Sequence, residues 1–328
     1  MRVLVLLFVA MLALAACAPR GVLHLVRGAD EGDVRQIFVA SNRVLKHDNG
    51  VQFSGRRGTR LYFSRLDVSV PPVHRDGRIE RPAPEAAPDP ARHFVLSGAY
   101  AFPTLADFLA GMAKAPGGAE EVFVYVHGYN TNNAEATYRL AQMAHDFDAE
   151  VPVVSFSWPS GGDPRGYVYD RDSVIHSRDA LEELLVALTR HRKIYLVAHS
   201  MGSQLVMETL RQISIARNTA VLRKISGVTL ISPDIDPEVF VVQAGRITPF
   251  PQPFILMTST RDSILDLAAW IAGRPRRLGE ITTADELGGL PVTVIDLSEF
   301  ADPGQNGHDT AFAAPRAIEY FRNFHGLK

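Results

Sequence analysis

The stretch KIYLVAHSMGSQLVMETL, residues 193–210, decides the fold because it puts a serine between two elements of different period. Its first part, KIYLVA, is an apolar run typical of a strand buried on both faces. Its second part, SQLVMETL, has the apolar spacing of a helix. Ser200 therefore lies at a predicted strand-to-helix turn, where AHSMG resembles the G-x-S-x-G nucleophile elbow with alanine for the first glycine. A serine that only caps the helix is the alternative.

Other apolar runs repeat this strand pattern on both sides of the stretch, and helical segments separate them. The further runs begin at Glu121, Val151, Ile225, Pro253 and Pro291. The helical segments begin at Asn132, Ser173, Ser203 and Ala311. This alternation predicts an α/β fold with a mostly parallel central sheet and helices on both faces. Functional groups of such a sheet gather at the carboxyl ends of its strands.

The chain before this region is less regular. Two segments, 35–43 and 59–70, are rich in β-branched and aromatic residues and predict strands, whereas 71–90 is a proline-rich surface segment. We therefore expect an N-terminal β-containing extension over 17–118 and a catalytic domain over 119–328.

The first 20 residues, MRVLVLLFVAMLALAACAPR, combine one early arginine with an apolar run too short to span a bilayer. Residues 1–16 are predicted to be a lipoprotein signal peptide, since LAAC resembles a lipobox whose cysteine, Cys17, is acylated. An ordinary secretory signal is the alternative. Cys17 is the only cysteine, which excludes an internal disulfide. Because several acyl chains anchor a protein stably, we expect a membrane-attached envelope protein facing the periplasm. The alanine after Cys17 favours the outer membrane.

Composition excludes some functional classes. The chain has 34 basic and 36 acidic residues and no Lys/Arg run, so a nucleic-acid partner is not expected. It has no HExxH, paired CxxC or Walker-type loop, so neither a metal nor another cofactor is expected. The oligomeric state is not encoded in these patterns.

A nucleophilic serine needs a base and an orienting acid, which in α/β hydrolases follow the serine in the order acid, histidine. His308 suits the base, because it lies in the polar loop GQNGHDTAF after the last predicted strand. Asp262, directly after the strand that begins at Pro253, is the favoured acid. Asp234 and Asp236 after the preceding strand remain alternatives.

Two backbone N–H groups are needed to stabilise a developing oxyanion. One is expected from Met201, which follows the serine at a helix N-terminus. The other is expected from Gly128 or Tyr129 in VHGYNTNN, at the turn after an earlier strand.

The motifs VHGYNTN, FSWPSGG, LVAHSMGSQ, SPDID, TSTRDSIL and GHDTAF occur in the order found in a bacterial α/β-hydrolase family of unknown function. The chain resembles the lipoprotein form of that family over nearly all of its mature length. The resemblance implies Ser200 as nucleophile, Asp262 as acid and His308 as base.

These observations predict a serine hydrolase of the esterase or lipase type, acting on a small-molecule or lipid acyl ester at the cell envelope. Two alternatives stay open. The chain could be an envelope interaction protein on a hydrolase scaffold with a vestigial triad, or an acyltransferase that uses the same serine.

Overall fold

The computed structural model describes residues 20–29, 31–46, 50–115, 120–273, 276–301 and 307–322. The predicted signal peptide and Cys17 lie outside the described residues. Among the described residues, no helix is long and apolar enough to cross a membrane.

One nine-stranded sheet forms the centre of the molecule. Its strands are β1 Asp33–Leu45, β2 Phe53–Val70, β3 Val95–Phe102, β4 Glu121–Val126, β5 Val153–Ser157, β6 Lys193–His199, β7 Ile225–Ile231, β8 Phe254–Thr258 and β9 Thr293–Asp296. Their spatial order is β3-β2-β1-β5-β4-β6-β7-β8-β9. In this spatial order, all the neighbouring pairs in the run β1-β5-β4-β6-β7-β8-β9 are parallel. The remaining pairs, β1–β2 and β2–β3, are antiparallel. The predicted mostly parallel α/β fold is confirmed.

Helices connect the parallel strands. They are α1 Leu105–Met112, α2 Asn133–Asp146, α3 Tyr167–Thr189, α4 Met201–Ile215, α5 Thr219–Leu222, α6 Pro237–Ala244, α7 Ser263–Ala272, α8 Thr310–Ala313 and α9 Pro315–Arg322. Two short 3₁₀ turns, Leu278–Glu280 and Ala284–Leu287, follow α7. Sequence patterns did not predict β3, α5, α6 or α7. The segment expected as one helix from residue 311 is two helices, α8 and α9, because Pro315 cannot donate a helical N–H.

Helices pack against both faces of the central strands. Along β4, Val122, Val124 and Val126 belong to one apolar core, while Phe123 and Tyr125 belong to a second core on the opposite face. Successive side chains of a strand point to opposite faces, so a strand covered on both sides must be apolar at every position. Burying each of these large side chains stabilises the fold by about 1.5–3 kcal/mol.

The strands of the predicted N-terminal extension continue the same sheet. Strand β1 pairs with β5 in parallel register from Ile37–Val153 to Ser41–Ser157. Strand β1 therefore runs in the same direction as β4 and β5, and its carboxyl end lies at the same edge of the sheet as theirs. The division of the mature chain at residue 118 stays a prediction.

An ion-paired histidine fastens the proline-rich segment onto α2. His74 lies 2.8 Å from a Glu80 carboxylate oxygen through Nδ1 and 2.7 Å from an Asp146 oxygen through Nε2. Both partners accept hydrogen bonds, so both ring nitrogens must donate and the ring is an imidazolium. Burial lowers the pKa of His74, but the two carboxylates outweigh it and the net shift is upward. The pKa of Asp146 is lowered, because the bonds from His74, Gly77 and Gln142 outweigh the effect of burial.

These shifts predict how His74 contributes to stability at different pH. A raised histidine pKa gives stability that is complete below the unfolded value of 6.5 and is lost as pH rises through the folded value. The lowered pKa of Asp146 gives stability that is lost as pH falls below 3.8. We expect His74→Gln to reduce the free energy of unfolding by about 1–3 kcal/mol between pH 3.8 and pH 6.5. The loss should be smaller at higher pH, where His74 becomes neutral. Denaturant unfolding across pH measures this. The exposed-site variant His191→Gln is the control, and a loss for His74→Gln that does not change with pH would contradict the prediction.

Candidate active site

Ser200 lies in a strained turn between β6 and α4. Its backbone has φ 52° and ψ −124°, a left-handed region that a residue with a Cβ adopts only at a cost. Two hydrogen bonds attach the turn to the end of β7 and the loop that follows it. The Ser200 N–H donates to Ile231 O at 2.9 Å, and the Ser200 carbonyl accepts from the Asp234 N–H at 3.2 Å. This is the geometry predicted for a nucleophile elbow.

The elbow packs directly onto the end of β4. A Cβ at Gly202 would lie 2.4 Å from the backbone oxygen of His127 and 2.6 Å from that of Val126, so only glycine fits. Ala198, which replaces the first glycine of the usual motif, is fully buried in β6 without a comparable demand on φ. The departure from G-x-S-x-G is therefore compatible with the turn.

Asp262 and His308 are hydrogen-bonded. His308 Nδ1 lies 2.7 Å from Asp262 Oδ2, and both side chains are almost completely buried. The second oxygen, Oδ1, accepts from the N–H groups of Ile264 and Leu265 and caps helix α7. One oxygen of this carboxylate therefore caps a helix, while the other holds the imidazole of His308.

A glycine joins the loops that carry these two side chains. Gly307 has φ 74°, and a Cβ there would lie 2.3 Å from Arg261 O and 3.2 Å from Asp262 N. The backbone before His308 thus packs directly against the backbone before Asp262. This close approach brings the imidazole and the carboxylate to one place.

The backbone of His308 is fixed from the other side by two polar side chains. Ser232 Oγ donates to His308 O at 3.0 Å, and His199 Nε2 lies 3.3 Å from the same oxygen. The His199 and His308 rings are 4.5 Å apart between centroids. Burial and the charge of His308 lower the pKa of His199 to about 3, so His199 is neutral and its Nε2–H donates. The residue before Ser200 therefore positions the candidate base.

The environment of His308 favours its protonated form. Burial lowers its pKa, but the hydrogen bond and the negative charge of Asp262 outweigh burial and raise it above 6.5. An imidazolium formed at this place is therefore stabilised.

The two alternative acids have other partners. Asp234 forms a buried ion pair with Arg277 at 2.6 Å and accepts from the Tyr167 hydroxyl at 2.9 Å. Asp236 caps α6 by accepting from the N–H groups of Glu238 and Val239. Of the three aspartates considered, the structure pairs Asp262 with His308.

The loop after β4 lies against the serine. A Cβ at Gly128 would be 2.9 Å from Ser200 Cβ, so the backbone of this loop reaches the Ser200 side chain. Met201 begins α4 on the other side of Ser200 and is fully buried. The Tyr129 hydroxyl donates to Pro164 O in the loop after β5. Gly128 therefore lies against Ser200 on one side and Met201 follows it on the other. The assignment of Met201, Gly128 and Tyr129 as oxyanion donors stays a prediction.

His127 holds this loop in shape. Its ring stacks on Trp158 at 4.9 Å, and its backbone oxygen accepts from Trp158 Nε1 at 2.7 Å. Burial and the charge of Arg43 lower the pKa of His127 to about 3. The Arg43 guanidinium donates to Nε2 of this neutral ring, so Nδ1–H donates to Gly128 O at 2.9 Å.

Arg43 was missed by the sequence analysis. It is fully buried, and its guanidinium donates to Ser157 Oγ at 3.0 Å, Ser160 O at 2.9 Å and Thr131 O at 2.8 Å. Burial lowers its pKa to about 9, although the nearby carboxylate of Asp170 opposes the shift. The signal in the sequence was weak, an arginine at the end of the predicted strand 35–43.

Asp170 completes this polar layer. It accepts from the Ser160 hydroxyl at 2.6 Å and from the N–H groups of Gly161 at 2.7 Å and Asn130 at 3.0 Å. The loops after β4 and β5 are therefore tied together by one side chain at the start of α3.

Comparison with known proteins gives a family and a set of folds. A family model described as "Alpha/beta hydrolase of unknown function (DUF900)" matches residues 109–322. The "Uncharacterized protein alr1448" of Nostoc sp. (strain PCC 7120) is 41% identical over 66 residues, which are 19% of this chain and 17% of that protein. The chain thus matches less than one fifth of the length of this relative.

Solved structures with a similar arrangement include two esterases. The carboxylesterase EstE1, cloned from a metagenomic library, is 11% identical with a TM-score of 0.39, and the match covers 90% of each chain. A thermostable esterase from Pseudomonas putida ECU1011 is 10% identical with a TM-score of 0.40, and the match covers 91% of this chain and 82% of that one.

The close approach at Gly307 can be tested by substitution. We expect Gly307→Ala to reduce the free energy of unfolding by about 1–3 kcal/mol through steric overlap, in addition to about 1–2 kcal/mol for its positive φ. Gly288→Ala is the matched control, because Gly288 has φ 64° but nothing within 4 Å of its added Cβ. Denaturant unfolding of both variants separates the two costs. Equal losses would show that the loops do not approach as described.

Proposed function

Because the chain belongs to the DUF900 family of α/β hydrolases of unknown function, we propose that it is a serine hydrolase that cleaves carboxylic esters. The observation that supports this proposal is the buried hydrogen bond between His308 and Asp262, held beside the strained turn of Ser200. Burying a polar pair costs free energy unless its atoms form hydrogen bonds of good geometry. Here Asp262 and His308 bond each other, and each is held by a further hydrogen bond.

In the proposed reaction, His308 removes the proton of Ser200 as the serine oxygen attacks the acyl carbonyl carbon. Asp262 binds Nδ1, so Nε2 is the nitrogen that takes the proton. The raised pKa of His308 then lets it hold that proton and pass it to the departing alkoxide. Water adds to the acyl-enzyme with His308 as base, and the acid leaves.

The carbonyl oxygen becomes negatively charged during each addition. We propose that the N–H of Met201 and an N–H from Gly128 or Tyr129 donate to it. The fixed backbone around Gly128 supports this role, since His127, Trp158 and Arg43 leave the loop few alternative conformations. Donors that are already oriented cost no reorganisation in the transition state.

We also propose that the mature chain begins at an acylated Cys17 and is attached to the envelope membrane, facing the periplasm and sorted to the outer membrane. The acyl chains themselves would supply the attachment, because several chains bind a bilayer stably where one does not.

An activity-based probe tests the serine. We expect a fluorophosphonate to label the protein, Ser200→Ala to abolish labelling, and His308→Ala or Asp262→Asn to slow it by roughly 10³- to 10⁴-fold. The labelling rate should rise with pH around a midpoint above 6.5, because His308 must be deprotonated to act as a base. Replacing Asp262 should lower this midpoint.

Ser214→Ala, on the far half of the same helix α4, is the control and should label normally. A folded wild-type protein that does not label would reject the catalytic proposal and favour the scaffold alternative. Labelling followed by transfer of the acyl group to an added alcohol, with no hydrolysis, would favour the acyltransferase.

Lipid attachment is tested by cell fractionation of the full-length chain. We expect the wild-type protein in the outer-membrane fraction, labelled by an alkyne-tagged palmitate, and Cys17→Ser unlabelled and absent from that fraction. Recovery of the unlabelled wild type in the periplasm would support an ordinary secretory signal instead, and recovery in the inner membrane would overturn the sorting proposal.

A further inference from the structure

Helix α7 exposes an apolar face. Leu267, Trp270 and Ile271 are 51%, 78% and 46% exposed, and their i, i+3, i+4 spacing puts them on one side of the helix. The opposite side, with Leu265 and Ala268, is buried in the protein. A helix that is apolar on both sides needs a second apolar environment. We call Leu267, Trp270 and Ile271 the α7 face.

Two neighbouring helices extend this surface. Val239 at the start of α6 is 45% exposed and Val168 at the start of α3 is 69% exposed. A cavity of about 240 Å³ opens between α3, α6 and α7. Its lining residues come from these three helices, from α4, from the turn that follows β7 and from the segment that follows α7: Arg171, Gln204, Ile235, Asp236, Val239, Ala272 and Arg277. We call the α7 face with Val168 and Val239 the apolar rim.

The apolar rim lies at the same edge of the sheet as Ser200. Helices α3, α6 and α7 each begin where a parallel strand ends, as α4 does. Ile235, in the cavity lining, is one residue from Asp234, whose N–H donates to Ser200 O. The chain leaving α7 returns to this edge, where Leu278 N–H donates to Ile235 O.

The first described residue is fastened to this edge too. Arg20 donates to Asn130 Oδ1 at 2.9 Å and to Glu135 at 2.6 Å, and Gly21 N–H donates to Glu135 at 2.9 Å. These partners belong to the loop after β4 and the first turn of α2. Arg20 is three positions after Cys17 in the sequence, a reach of about 10 Å at most. Acyl chains on Cys17 would hold the bilayer against the edge that carries Ser200.

We propose that the apolar rim docks onto a lipid bilayer, so that the cavity and Ser200 face the membrane and the substrate class is acyl esters of lipids. This rests on the proposed serine hydrolase. A tryptophan at the centre of an exposed apolar helix face is suited to the interface between headgroups and acyl chains. Asp266 is the one charged residue within α7, so apolar contact rather than charge drives the docking.

The chain has two tryptophans, which makes the docking measurable. Trp158 is fully buried, whereas Trp270 is 78% exposed. The protein used is the mature chain from residue 17 with Cys17→Ser, so that no attached acyl chain contributes to vesicle binding. It also carries Ser200→Ala, so that the result does not depend on catalysis. Phosphatidylcholine vesicles should shift the tryptophan emission to shorter wavelength, and brominated acyl chains should quench it.

Substitutions assign the docking to the α7 face. We expect Trp270→Ser or Ile271→Ser to weaken sedimentation with vesicles by about tenfold or more. Ile215→Ser is the matched control, because Ile215 is 59% exposed at the last residue of α4, away from the Ser200 end. It should bind as the parent does.

Two results would overturn the proposal. One is a folded protein whose emission does not respond to vesicles. The other is a concentration-dependent dimer, seen by light scattering and lost in Trp270→Ser, which would show that a second copy covers the face. Vesicle binding of a protein whose wild-type serine does not label would instead reject the proposed function while keeping the docking.

Discussion

The site depends on how closely the turn after β6 approaches the end of β4. A side chain at residue 202 would overlap the backbone oxygens of His127 and Val126, and one at residue 128 would overlap Ser200. Gly128 and Gly202 thus allow the backbone of the Ser200 turn to pack directly against the backbone of the loop after β4. Parallel register between β4 and β6, from Glu121–Lys193 to Val126–Ala198, brings both strands to the same edge and makes this approach unavoidable. The strain of φ 52° at Ser200 is maintained by the surrounding backbone, because relaxing the turn would separate these contacts.

The N-terminal strands contribute directly to that edge. Arg43 projects from β1 into the layer between the loops after β4 and β5 and binds backbone or side-chain atoms of both. A buried guanidinium is expensive to desolvate, and its reduced pKa reflects that cost. Removing it would leave buried carbonyl groups without donors, which costs about 1–3 kcal/mol for each group. The residues before 118 are therefore more than an attachment to the hydrolase: they hold the loop that faces the serine.

The sequence was most informative where order along the chain carries the information. Apolar runs located the six strands β4 to β9, and the order serine, acid, histidine selected side chains that the fold does bring to one edge. It was least informative where a contact depends on register between distant segments. The contacts of Arg43 with His127 and Ser160 span 84 and 117 residues, and the contact of His199 with His308 spans 109. Helix α7 was not predicted for another reason: with apolar residues on both sides, it lacks the broad polar face that marks a surface helix.

Asp262 connects the chemistry to the surface. One oxygen caps α7 through two backbone N–H groups, and the other orients His308. The exposed face of α7 begins only five residues further along the same short helix, at Leu267. A displacement of α7 would therefore move the capped carboxylate and, through it, the imidazole. The α7 face and the imidazole of His308 are therefore linked through a single side chain, Asp262.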